Sequence, residues 1–131
     1  MTDITGKLKD FFRDRDDVLL AFLFGSAAAG RETDESDIDI AVLAGEGFDA
    51  GSFLELKSAL SDMLSGDIDL VILNDASPIL KMQVIQKGIL LKAADETAYP
   101  CFFAKGLKEY EDLKYFRAEA EKRLLSGQAH G

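Results

Sequence analysis

Seven consecutive apolar residues, Val18 to Phe24, stop abruptly at Gly25-Ser26. The run is far short of the roughly 20 residues that span a bilayer. It is also too apolar for a surface loop, so it reads as a strand buried in a core. A glycine permits a tight turn and a serine caps a helix, so the strand is expected to give way at Gly25-Ser26 to a short helix over Ala27 to Ala29. Before it, Ile4, Leu8, Phe11 and Phe12 recur at helical spacing among charged residues, which predicts a helix over about residues 4 to 15.

Beyond the polar loop Arg31 to Ser36, Asp37 to Ala44 alternates as a second strand, with Ile38, Ile40 and Val42 on one face and Asp37 and Asp39 on the other. Phe53, Leu54, Leu56, Leu60, Met63 and Leu64 mark a helix ending near Gly66, and Asp67 to Leu73 a third strand. Ser77 as N-cap and Pro78 in the first turn open a helix that ends near Gly88, followed by a short strand, Ile89 to Leu91. From Asp95 onward, Phe103, Leu107, Tyr110, Leu113, Phe116, Ala120 and Leu124 repeat every three or four residues, the pattern of a long amphipathic C-terminal helix. Strands alternating with helices predict an α/β (α+β) domain, a small sheet with helices mainly on one face. At 131 residues the chain is expected to form one domain, residues 1–131, with 126–131 as a frayed tail.

Lys plus Arg number 15 against 24 Asp plus Glu, a formal charge of -9. Such a surface repels a polyanion, so direct nucleic-acid binding is disfavoured, and a phosphate ligand needs a divalent cation or a local cradle of amides. The single cysteine, Cys101, excludes an internal disulfide and fits a reducing compartment. No basic start followed by an apolar stretch and cleavage site is readable after Met1. A cytoplasmic protein without a membrane segment is expected.

Residues two apart in a strand project on the same face, their backbones about 6 to 7 Å apart. Asp37 and Asp39 therefore converge. Paired carboxylates repel unless a cation lies between them, and hard oxygen ligands select Mg²⁺ or Mn²⁺. If a neighbouring strand adds Asp69, three carboxylates can hold two ions about 3.5 to 4 Å apart, the arrangement that stabilises attacking and leaving oxygens in nucleotidyl displacement. Gly25-Ser26 opening a helix offers amides, a hydroxyl and the positive end of a dipole to a phosphate.

The run Leu23-Phe24-Gly25-Ser26-Ala27-Ala28-Ala29-Gly30, then Ser36-Asp37-Ile38-Asp39-Ile40, then Ile68-Asp69-Leu70-Val71 resembles the minimal nucleotidyltransferases of the polymerase-β-like superfamily. Gly-Ser, ten residues, then Asp-x-Asp is that superfamily's signature. The likeness continues through Leu73-Asn74-Asp75-Ala76-Ser77-Pro78 and Gly88-Ile89-Leu90-Leu91 and so covers most of the chain. It implies the superfamily's mixed sheet, with Gly25, Ser26 and neighbouring amides on the β and γ phosphates of ATP. It further implies Asp37 and Asp39 on Mg²⁺, with Asp69 completing the metal and catalytic set by aligning and deprotonating the acceptor hydroxyl. Asp69 matches rather than Asp67, because it directly precedes the Leu-Val of the family pattern. Many relatives carry Arg or Lys where this chain has Ala29, and the nearest cation, Arg31, is the candidate for that phosphate contact.

Minimal nucleotidyltransferases of this kind usually act beside a small helical HEPN toxin as its antitoxin, in some pairs adding AMP to a toxin tyrosine. That is the function the resemblance implies here, and an acidic surface suits a basic RNA-cleaving partner. Two alternatives stand beside it: a binding module that neutralises its partner by contact alone, and a small-molecule nucleotidyltransferase whose acceptor domain comes from elsewhere. A homodimer is also compatible with the apolar stripe of the last helix. His130 reads as a solvated tail residue, Tyr99, Tyr110 and Tyr115 as packing residues, and Cys101 as a small side chain with no catalytic partner nearby.

Overall fold

The computed structural model describes residues 4–25 and 38–127. Helix α1 (Ile4–Arg13) precedes strand β1 (Val18–Phe24). Strand β2 (Ile38–Ala44), helix α2 (Ala50–Leu64) and strand β3 (Ile68–Ile72) form a β-α-β unit. A 3₁₀ turn (Leu73–Asp75), helix α3 (Pro78–Lys87), strand β4 (Ile89–Ala93) and helix α4 (Ala98–Gly127) complete the chain. The sheet order is β3-β2-β1-β4, with β1 antiparallel to both neighbours and β2 parallel to β3. The expected α/β class, mixed sheet and long last helix are what the structure has.

The helices, however, are shared between both faces rather than lying mainly on one. Leu8 and Phe12 of α1 and Leu56 and Leu60 of α2 pack with Ala21, Leu23, Ile40 and Val42. Val84 of α3 and Phe102 of α4 pack with the opposite set, Leu20, Phe22 and Ala41. The physical reason lies in β1 and β2, whose side chains are apolar on both faces, so both need cover. Each large side chain taken fully out of water contributes roughly 1.5 to 3 kcal/mol, and Leu8, Phe12, Leu20, Leu23, Leu56 and Leu60 are all fully buried. On the second face the Phe22 ring lies 6.1 Å from Tyr99 and 6.0 Å from Phe102, which seats the start of α4 on the sheet.

Polar groups set the element ends. Asp49 caps α2 by accepting from the Ser52 amide at 2.9 Å and the Ser52 hydroxyl at 3.0 Å. These two donors, the amide first, hold the Asp49 carboxyl below the usual carboxylate range. Ser77 caps α3 with Pro78 in its first turn, as expected. Asp95, which was expected inside α4, instead lies before its first residue, Ala98, in a turn where its side chain accepts from the Thr97 and Ala98 amides at 2.8 and 2.9 Å. Helix α1 stops at Arg13, two residues short of the expected end, and Arg15 turns to pair bidentately with Glu55 of α2 at 2.9 and 3.0 Å.

The third strand ends at Ile72, and Leu73 enters the 3₁₀ turn. There the Asn74 side chain accepts from the Ala44 amide at 2.8 Å and donates to the Ala44 carbonyl at 3.0 Å, continuing the β2 hydrogen bonding where β3 has stopped. Strand β4 runs two residues further than expected, because Leu20 and Ala21 of β1 pair with Ala93 and Lys92.

Helix α2 closes on Ser65, in the left-handed region at φ 54°, one residue before the expected Gly66. Left-handed backbone costs a non-glycine residue about 1 to 2 kcal/mol, offset in part by the unfolded-state freedom of glycine. Ser65→Gly is therefore expected to raise stability by about 0.5 to 1 kcal/mol. Urea unfolding should show a higher midpoint at unchanged slope.

Candidate active site

Three strands bring the site together at one end of the sheet. Asp39 is the second residue of β2 and pairs in register with Phe24 on its antiparallel side and with Asp69 on its parallel side. Ile38, Ile40, Ile68 and Leu70 face the α1/α2 core. Alternation then turns Asp39 and Asp69 to the opposite face, side by side on strands about 4.8 Å apart. Asp39 is half-buried and Asp69 exposed. β3 is an edge strand, so Asp69 stands at the open side of the sheet. Asp67 contributes its main chain: its carbonyl accepts from the Ile38 amide at 3.2 Å while the residue stays exposed.

Gly25 follows β1 directly and lies over Asp39. Its φ is +76°, and a Cβ added there would fall 2.1 Å from Asp39 Oδ2 and 3.0 Å from its Cγ. Only a residue without a side chain lets the turn pass so close to the carboxylate. The sequence pattern gives this glycine a turn and phosphate amides. Its second role, making room for Asp39, depends on the pairing of Phe24 with Asp39 and has no signal in the one-dimensional pattern.

Of the six residues expected at the site, Gly25, Asp39 and Asp69 are brought together. Ser26, Arg31 and Asp37, along with the short helix expected over Ala27 to Ala29, lie outside the described residues. Among the described residues no group of three acidic, histidine or cysteine side chains converges on one point, and Asp39 and Asp69 make a pair. Their chemistry suits a hard divalent cation: both are carboxylates, they share one face on adjacent strands, and like charges placed directly opposite destabilise a sheet unless something lies between them.

A polymerase beta nucleotidyltransferase model matches residues 6–97, a span that includes Gly25, Asp39 and Asp69. The chain belongs to the polymerase beta nucleotidyltransferase family. As a nucleotidyltransferase it is 38% identical over 95 residues to the protein adenylyltransferase MntA of Shewanella oneidensis, covering 72% of this chain and 68% of that relative. The fold matches a chain in the crystal structure of a toxin–antitoxin with AMP-PNP, at 32% identity and a TM-score of 0.76, covering 94% of this chain and 99% of that one. It also matches a chain in a re-refined structure of a tri-AMPylated Shewanella oneidensis HEPN toxin in complex with MNT antitoxin. There the identity is 29%, the TM-score 0.69, and the coverage 93% and 99%. Among the described residues of this nucleotidyltransferase, no helix is long and apolar enough to cross a membrane.

Proposed function

We propose that the protein is an antitoxin that transfers AMP from Mg²⁺-bound ATP to a hydroxyl, most specifically a tyrosine, of a partner HEPN toxin. The observation that carries this reading is the in-register pair of Asp39 and Asp69 beneath the side-chain-free turn at Gly25. The adenylyltransferase relative and the solved toxin–antitoxin chains support the choice of nucleotide and acceptor class.

In this reading Gly25 and Ser26 bind the β and γ phosphates through main-chain amides and the serine hydroxyl. Arg31 takes the phosphate contact for which Ala29 has no charge. Asp37 and Asp39 would hold the metal, with Asp69 in register beside Asp39 on β3. A Mg²⁺ ion held there would supply neutralisation of the negative charge on the phosphates. Asp69 orients the acceptor hydroxyl and accepts its proton. The acceptor oxygen attacks the α-phosphorus, the bond from that phosphorus to the bridging oxygen breaks, and pyrophosphate leaves. An exposed edge-strand carboxylate is well placed for this, because a protein acceptor must reach it from solvent.

The test is incubation of the purified protein with its HEPN partner, Mg²⁺ and ATP labelled at either the α or the γ phosphate. Label from the α position only, appearing on the toxin and absent with Asp69→Asn, is the expected result. A stable complex without label would sink the enzymatic reading and leave neutralisation by contact, which the absence of a cation at Ala29 favours. Label on a small alcohol would point to the small-molecule class instead.

A further inference from the structure

Helix α4 has 30 residues, a length of about 45 Å. Its first half is anchored: Phe102 is buried, Gly106 sits against Ile85 of α3, and Glu109 pairs with the buried Lys81 at 2.9 Å. From Lys114 to Ser126 every residue except Glu119 is exposed. That half nevertheless carries large apolar side chains, with Tyr115 63%, Phe116 66%, Leu124 65% and Leu125 76% exposed. Leu113, Phe116, Ala120 and Leu124 fall on one stripe by helical spacing. A helix of such length is marginal in water by itself, so a segment projecting with an uncovered apolar stripe calls for a partner surface.

Where this segment leaves the body, a cleft of about 470 Å³ opens between the 3₁₀ turn, the start of α3 and α4. Pro78, Leu113 and Phe116 give it apolar walls, and Asp75, Glu109 and Asp112 line it with carboxylates. Among the described residues, Lys81 is the one basic side chain in the lining. Glu109 is paired with Lys81 and Asp112 with Lys108 at 3.3 Å, so among the described residues Asp75 is the lining carboxylate left to complement a basic side chain flanked by apolar ones, in a chain with a formal charge of -9.

We infer that the cleft and the projecting half of α4 form one docking surface for a helix of the toxin partner, laying apolar residues along the stripe and a lysine or arginine into the cleft. The identity of the occupant rests on the proposed function. It is also supported by the match to the toxin–antitoxin chain: 94% coverage leaves about 8 of 131 residues unmatched, fewer than the 14 from Lys114 to Gly127. At least part of the projecting segment is thus shared with a chain crystallised as a toxin–antitoxin. The surface is separate from the chemistry. Asn74, in the cleft lining, pairs with Ala44, which is five residues or roughly 16 Å along β2 from Asp39.

The test uses the full chain and a tagged HEPN toxin, with affinity measured by co-purification and titration. Phe116→Glu with Leu124→Glu is expected to weaken the complex by about thirtyfold or more, as for loss of a central apolar anchor. Phe116→Leu should retain it, and Asp75→Lys should weaken it independently by repelling the basic side chain. ATP binding by the free chain and its thermal unfolding should stay unchanged in all of them. Wild-type affinity in the double variant would overturn the inference. So would a dimer of the free chain that the same substitutions dissociate, which would assign the stripe to a second copy. A complex that behaves as expected while no AMP is transferred would overturn the proposed activity and leave the docking surface standing.

Discussion

Gly25→Ala is expected to cut AMP transfer severely while leaving the fold largely intact. The new Cβ would lie 2.1 Å from Asp39 Oδ2, a separation that no pair of non-bonded atoms tolerates. The obstructing atom ends a side chain, so the cheapest relief is rotation of the Asp39 carboxylate away from the position it holds beside Asp69. Left-handed backbone at φ +76° adds about 1 to 2 kcal/mol for a residue with a Cβ. That cost falls on a turn at the end of the central strand β1 and should appear as a modest loss of melting temperature. If Asp39 holds the metal as proposed, displacing its carboxylate should lower kcat/KM by about a hundredfold or more, since metal-held charge stabilisation is worth several kcal/mol. Initial rates of α-label transfer together with a thermal melt separate the two effects. Unchanged transfer would mean that the Asp39 carboxylate has no part in the reaction.

Asp69→Asn is expected to lower kcat by about 10² to 10⁴, the usual range for removing a general base. The substitution keeps shape and removes only charge and basicity, so the partner complex should form as before. Stability should stay level or rise slightly in the absence of Mg²⁺, because one of two like charges in register on β2 and β3 is gone. Single-turnover rates at saturating ATP test this. A rise in KM across a substrate titration, with kcat intact, would reassign Asp69 from proton acceptor to a residue that only binds substrate.

Much of this site is legible in the residue pattern. The alternation of Asp37-Ile38-Asp39-Ile40 sets the phase of β2 and puts Asp39 on the face away from Ile38 and Ile40, which is where it lies. Asp69 stands before Leu70-Val71 in the third strand as the resemblance to the family implies, and parallel pairing places Asp39 and Asp69 opposite each other. Contact between Gly25 and Asp39 is not legible there, because it depends on which residue of β2 meets the end of β1, a tertiary fact.

The two-sided cover of the sheet escapes the pattern for a different reason. The apolar run in β1 shows burial on both faces, but it does not say which helices supply the cover. Propensity assigns the C-cap of α2 to Gly66, while the helix places Ser65 in the left-handed position, where Ser61 accepts from both the Ser65 and the Gly66 amides. The outward half of α4 carries the same periodicity as a core-facing helix. Periodicity reports a stripe and is silent on what lies against it.

Transfer of AMP from ATP to the toxin at the proposed site of Asp39 and Asp69 is tested most directly by intact mass spectrometry of the HEPN toxin after co-expression with the wild-type protein, Asp39→Asn or Asp69→Asn. The wild type should yield toxin carrying one or more AMP groups on tyrosine, and both variants unmodified toxin. Toxin that is neutralised yet unmodified in the presence of the wild-type protein, or modified equally by all three, would contradict it.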